Sequence, residues 1–279
     1  LLGISFMILS MFCLSVNDMT YKYLSFHFPV WESIFFRALS GCIVALFLTM
    51  YFGFSKLKTK KPFGHAIRAF SASGCVVFYI YGINNLMLSE NIAIAHSAPI
   101  IAAFLAVPIL GEKIGILRTS AILIGFIGVL IIVKPGTDLF KLESLYPLIS
   151  ACFMASVYLS TRSVMSTDSS VAIIFYYSFA LLITSLIFFP SNFIMPNISQ
   201  LFFAMSLGVM GSIGHFFMSQ AAKNADVAIT SPFEYSSFIF VGLMGYLIFA
   251  EVPTFSIYIG GLIIISSGIF IAYRERKNH

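Results

Sequence analysis

The stretch FPVWESIFFRALSGCIVALFLTMY, residues 28–51, decides the fold. A helix rises 1.5 Å per residue, so a run of this length crosses a hydrocarbon core of about 30 Å, which needs only about 20 apolar residues. Glu32 near its start and Arg37 deep inside it are its only charges. Working outward, comparable runs occupy nearly everything else: Leu1–Leu24, Phe63–Leu86, Ile92–Leu110, Ile114–Val133, Leu145–Ser163, Val171–Phe189, Leu201–Ala221, Val227–Phe249 and Phe255–Tyr273. The expected fold is therefore an all-α membrane protein of ten transmembrane helices joined by short loops.

Composition excludes the other classes. Apolar residues make up 59% of the 279 and charged ones only 10%, well below the roughly 25% charge of soluble domains. Mean hydropathy is +0.97 and the pI is near 9.0, yet the basic residues sit in short loops rather than on a face interleaved with aromatics. No nucleic-acid partner is expected. Cys13, Cys42, Cys75 and Cys152 are isolated within apolar runs, with neither disulfide nor metal spacing. No phosphate-binding loop, HExxH or GxSxG occurs, so no cofactor, metal or catalytic residue is expected. The chain opens on Leu1 inside an apolar run, and no small-residue cleavage site follows that run. A trimmed start is expected rather than a cleaved signal peptide.

Positive charge in the loops sets orientation. With both ends in the cytoplasm of a bacterial inner membrane, inner loops hold Lys56, Lys58, Lys60, Lys61, Lys113, Arg118, Arg162 and Lys223, and the tail holds Arg274, Arg276 and Lys277. Outer loops hold only Lys134 and Lys141, with Lys22 near an outer edge.

Shifting the chain by about 139–140 residues superposes its halves. Lys22 and Phe35-Phe36-Arg37 then fall on Arg162 and Phe175-Tyr176-Tyr177, while Leu110-Gly111-Glu112 falls on Phe249-Ala250-Glu251. Each half, 1–139 and 140–279, holds an odd number of spans, so the two copies are expected to be inserted with opposite orientations. Inverted repeats suit alternating access, because swapped packing gives two states of similar energy. Duplication retained for stability is the plain alternative.

Polar groups inside the spans mark candidate sites, since a mid-bilayer charge costs at least about 2.5–3.5 kcal/mol. Asn17, Asp18 and Lys22 in the first span and Glu32 and Arg37 in the second form an expected mixed-charge cluster, with Asp18 facing Arg37. Read functionally, the cluster is a gate or binding site; read structurally, it is a salt-bridge network. In the second half His215 and Glu234 lie at a similar inner depth, Glu234 as a protonatable or substrate-charge group and His215 as that or a packing histidine. His96, beside Ser97 and Pro99, is expected to face a cavity. Tyr81 and Asn85, with Asn84, end the third span, where interfacial anchoring competes with solute contact. Tyr158, Tyr177 and Tyr235 supply hydroxyls in the second half, suited to a neutral or zwitterionic organic solute. His65 and Arg68 are expected at headgroups or loops. Glycines at Gly125, Gly128, Gly208, Gly211, Gly214, Gly260, Gly261 and Gly268 permit close helix approach. Spans five and ten lack buried charge and read as outer walls or a homodimer surface of an otherwise monomeric protein.

Taken together, the doubled five-span plan, the Phe35-Phe36-Arg37 run and the Gly111-Glu112 and Ala250-Glu251 span ends resemble the drug/metabolite transporter superfamily, EamA type. Asn17-Asp18 with Lys22, Lys61-Pro62-Phe63 leading to His65 and Arg68, and Pro232 with Tyr235 before Glu251-Val252-Pro253 look like the branch that includes S-adenosylmethionine uptake carriers of intracellular bacteria. The resemblance implies a central cavity lined by spans 1–4 and 6–9, with membrane lipids outside and a small-molecule substrate within. Glu234, between Pro232 and Tyr235, departs from that pattern. The expected function is secondary active transport of a small organic metabolite, with S-adenosylmethionine uptake or exchange as the specific form the resemblance suggests. Rivals are a proton-coupled exporter of amino acids or other metabolites and a non-transporting assembly protein or lipid scramblase.

Overall fold

Apolar runs with no exposed polar face must bond their own backbones, and in the structure, a computed structural model, they do so as helices. Residues 2–110, 116–134, 140–165, 168–224 and 230–277 are described. Gly111, Glu112 and Lys113, and the side chains of Arg118, Arg162, Lys223, Pro232, Arg274, Arg276 and Lys277, lie outside that description. No strand occurs among the described residues.

The helices are α1 (Leu2–Ser25), α2 (Val30–Phe52), α3 (Pro62–Asn85), α4 (Leu88–Ala95), α5 (Ala98–Leu110), α6 (Ile116–Val133), α7 (Leu145–Met165), α8 (Ser170–Ile187), α9 (Ile198–Asn224), α10 (Ser237–Phe249) and α11 (Phe255–Lys277). Six segments are long and apolar enough to cross a membrane, and Thr119–Val133, Val171–Ile187, Phe233–Phe249 and Phe255–Ile271 are shorter apolar helices.

Two spans are not the continuous rods that their hydropathy suggests. The fourth breaks between α4 and α5 at His96-Ser97. Pro99 has no N–H to give to the Ala95 carbonyl, so the ladder is interrupted there. Beside the break, the Ser97 hydroxyl donates to Ile94 O at 2.7 Å. The ninth contains a 3-10 turn, Ser231–Ser236, that runs directly into α10.

Helix pairing is mirrored between the halves. The most extensive packing joins α1 to α9, α3 to α7, α6 to α11 and α2 to α8. Lipid is as apolar as leucine, so small residues and polar contacts hold these pairs rather than hydrophobic burial. A Cβ on Gly260 would stand 2.6 Å from Gly128 O, so α6 and α11 meet backbone to backbone, helped by Ser267 donating to Ala121 O at 2.6 Å. The glycines expected to permit close helix approach do so here within the chain. Leu123, Ile127 and Leu262 face outward from this pair. Between α1 and α9, Asn17 Nδ2 donates to Leu207 O at 2.6 Å and Ser10 to Gly214 O at 2.8 Å. Gly208 lies against Ser40 and Gly41 of α2. The aromatic segment after α8 folds back on α2, with Phe188 stacked on Trp31 at 4.7 Å.

Candidate functional site

The break in span four and the 3-10 turn of span nine meet at the wall of one cavity. His96 Nε2 lies 2.9 Å from Ser237 Oγ, and that hydroxyl donates its single proton to Glu234 O at 2.7 Å. The imidazole must then donate through Nε2, which leaves Nδ1 as an acceptor. Its ring stacks on Phe238 at 5.5 Å and tilts against Tyr235 at 5.1 Å. Irregular backbone at this depth is tolerated where it lines a cavity rather than lipid.

The cavity takes its walls from α1, α2, α3, the α4–α5 break, α7, α9 and the start of span nine, and none among the described residues comes from α6 or α11. Its atom-free volume, counted out to its opening, is about 960 Å³. At one pole stand Asp18, Tyr79 and Arg37; at another, Glu234 lies within electrostatic reach of Tyr158. Met11, Met154 and Met218 supply soft, adaptable apolar wall between them.

Asp18 and Arg37 share this cavity without pairing. Asp18 Oδ2 accepts from Tyr79 OH at 2.8 Å, whereas Arg37 Nη1 donates to Asn17 Oδ1 at 3.1 Å and Tyr21 OH at 3.3 Å, and Nη2 to Tyr177 OH at 3.4 Å. The expected mixed-charge cluster is in fact dispersed. Glu32, fully buried, accepts from Ile194 N at 3.0 Å. Lys22, one turn from Asp18, points outward to Glu251 Oε1 at 3.2 Å and to the carbonyls of Ile83 and Leu86 at 2.9 and 2.6 Å. Charges spaced as helix neighbours separate here because each finds a nearer partner elsewhere in the fold.

Other candidates also lie off the chamber. Tyr81 rests on Tyr146 at 5.5 Å, and exposed Asn85 bonds back to Tyr81 O at 2.8 Å, the anchoring arrangement. Tyr235 stands behind His96 with its hydroxyl against Gly268. Tyr177 and His215 line a separate crevice next to Arg37. Of the expected site residues, the chamber brings together Asn17, Asp18, Arg37, His96, Tyr158 and Glu234.

Two residues outside the expected set hold the site. Tyr79 orients Asp18, and its i+3 spacing from Val76 and i+4 from Cys75, both chamber residues, was the available signal. Glu251 closes one side: Oε2 accepts from Leu88 N at 2.7 Å, capping α4, while Oε1 holds Lys22. On the other side, His65 Nε2 meets Asp168 Oδ2 at 2.8 Å, deeply buried, and Thr59 donates to the same carboxylate. Arg68 Nε donates to Thr161 at 2.8 Å. His65 and Arg68 are therefore loop and helix ties, not solute contacts.

A helix bundle with interrupted spans around a charged central chamber defines a multi-pass membrane transporter of small molecules. The family model described as "EamA-like transporter family" matches residues 1–134 and again 142–273, and the chain belongs to that family. It is 31% identical over 276 residues to the S-adenosylmethionine uptake transporter of Rickettsia prowazekii, covering 99% of this chain and 94% of the relative. It is 29% identical over 223 residues to the riboflavin transporter of Vibrio cholerae (79% and 75% covered) and 25% identical over 280 residues to the pseudopaline exporter CntI of Pseudomonas aeruginosa (99% and 97% covered). A crystal structure superposes with a TM-score of 0.63 at 16% identity, covering 100% of this chain and 97% of the other, and shares its fold.

Proposed function

We propose that the chain is a secondary carrier that moves a small organic metabolite with a cationic centre across the bacterial inner membrane by alternating access. S-adenosylmethionine is the leading candidate solute. The observation that carries the reading is the chamber itself, with Asp18, Arg37 and Glu234 on its wall and aromatic and thioether surface around them. A solute with separated cationic groups, a carboxylate and a flat ring complements those groups in kind. The uptake transporters among the relatives point the same way.

In this reading residues 1–139 and 140–279 are two five-span repeats inserted oppositely, with both termini in the cytoplasm. The doubled family match and the mirrored pairing of α1 with α9 and α3 with α7 support it. Lys22 and Glu251 then form the outer gate, while His65 and Asp168 tie the inner side. Direction follows from gradients, so the same chamber serves uptake, exchange or export.

The test is a thermal-shift screen of purified protein against S-adenosylmethionine, nucleosides, amino acids and riboflavin, followed by flux of the stabilising solute into proteoliposomes. Stabilisation by S-adenosylmethionine, lost together with flux in an Asp18→Asn, Glu234→Gln variant, is expected. Equal flux in wild type and variant would remove both carboxylates from the mechanism, and absence of any solute-induced shift would favour a non-transporting protein.

A further inference from the structure

Arg37 borders two cavities, and the second has no role in the carrier reading. Among the described residues it alone lines both the chamber and a smaller crevice between α2, α8 and α9. That crevice has an atom-free volume of about 410 Å³ out to its opening, less than half that of the chamber. Exposed His215 stands at its rim.

A guanidinium carries five N–H donors. The bonds to Asn17, Tyr21 and Tyr177 use both hydrogens of Nη1 and one of Nη2. Nε–H and the second Nη2 hydrogen have no protein acceptor among the described residues. Those two groups form the fork that takes up anions. All three protein partners are neutral, and Asp18 acts on Arg37 only through space, its hydrogen bond being with Tyr79. Arg37 is only half-buried, and a charge partly withdrawn from water without a contacting counter-ion carries a desolvation cost, which an anion at this point would offset.

The crevice is built to hold one. No Asp or Glu lines it. Ser178 lines it at only 4% exposure, and its hydroxyl has no partner among the described residues; Ser212 lines it likewise. Gly211 completes the cradle. A Cβ there would stand 3.5 Å from Nη2, in the space that the glycine leaves open beside the fork. The donors are therefore a guanidinium edge and two hydroxyls around a space too small for the chamber's solute.

We propose that this crevice is a binding site for a small inorganic anion, chloride in the cell, held by Arg37 with the hydroxyls of Ser178 and Ser212 as the counter-ion of the half-buried guanidinium. The site is independent of which solute the chamber takes. It makes the stability of the folded protein depend on halide even with the chamber empty.

The experiment is thermal unfolding of the purified full chain at constant ionic strength, with gluconate replaced stepwise by chloride or by bromide. A saturable rise in Tm with either halide is expected in wild type. In Ser178→Ala, Ser212→Ala the half-saturating concentration should rise about tenfold or more, since two hydrogen bonds to an anion are lost. The single Ser212→Ala variant, with an intermediate shift, serves where the double variant does not fold. No saturable rise in wild type, or the same rise in both proteins, overturns the site. Loss of the halide effect with solute-induced stabilisation retained separates this proposal from the fate of the carrier reading.

Discussion

Lys22 and Glu251 meet at 3.2 Å across the two halves of the chain, and between them they satisfy the broken ends of two helices. The ammonium caps the last carbonyls of α3 at Ile83 and Leu86, and the carboxylate caps the first free N–H of α4 at Leu88. Each of the three ammonium hydrogens has one acceptor. The pair thus ties α1, α3, α4 and the α10–α11 connection into a single knot one helical turn outside Asp18.

Removing one member should leave the other charge stranded at a site where the side chains are only 11% and 13% exposed. Glu251→Gln or Lys22→Met is expected to cost about 3 kcal/mol of stability, measured by thermal or denaturant unfolding. The same variants should raise labelling of Cys75, which lines the chamber, by an impermeant thiol reagent from outside, in a background lacking Cys13, Cys42 and Cys152. Unchanged labelling would deny the knot its role as a gate.

Asp18 and Tyr79 make a testable pair. Tyr79→Phe leaves the Asp18 charge in place but removes the 2.8 Å bond that aims it. Solute affinity should fall about tenfold, the worth of one hydrogen bond to a charged group. Asp18→Asn, which keeps a partner for Tyr79 but loses the charge, should abolish flux while leaving Tm within a few degrees. A flux that survives Asp18→Asn and fails in Tyr79→Phe would reverse the assignment.

On the opposite side, His65→Ala should cost about 2 kcal/mol, because it takes one partner from a buried carboxylate that keeps Thr59 and the Lys60 N–H. His65→Gln should recover part of the loss. Denaturant midpoints of the two variants, read with unchanged slopes, check this.

Two glycines of α9 should behave differently although they lie one turn apart. A Cβ at Gly208 would clash with Ser40 and the Gly41 backbone, whereas one at Gly211 meets Arg37 only at ordinary contact, 3.5 Å. In halide-free buffer Gly208→Ala is expected to destabilise by about 2 kcal/mol through overpacking, and Gly211→Ala to leave Tm nearly unchanged. A Gly208→Ala variant as stable as Gly211→Ala would place α9 farther from α2 than the structure has it.

The spans, their number and the doubled plan were legible in the sequence because each rests on a property that a single run carries by itself. The chamber was legible in part. Asp18, Arg37, His96, Tyr158 and Glu234 announced themselves as polar residues in apolar runs. Their partners did not, because Tyr79 and Glu251 look like an interfacial aromatic and a loop acid until α1 is laid beside α3 and α4.

What the chain settled unaided is that it lives in a bilayer as helices: hydrocarbon offers no hydrogen bonds, so apolar runs of this length have no other stable backbone. What awaited the three-dimensional arrangement is which buried charges touch. Side chains reach only a few ångströms, and a helix turns each of them toward whichever neighbour the fold supplies, so Lys22 left Asp18 for Glu251 and Arg37 was left holding neutral partners beside an open crevice.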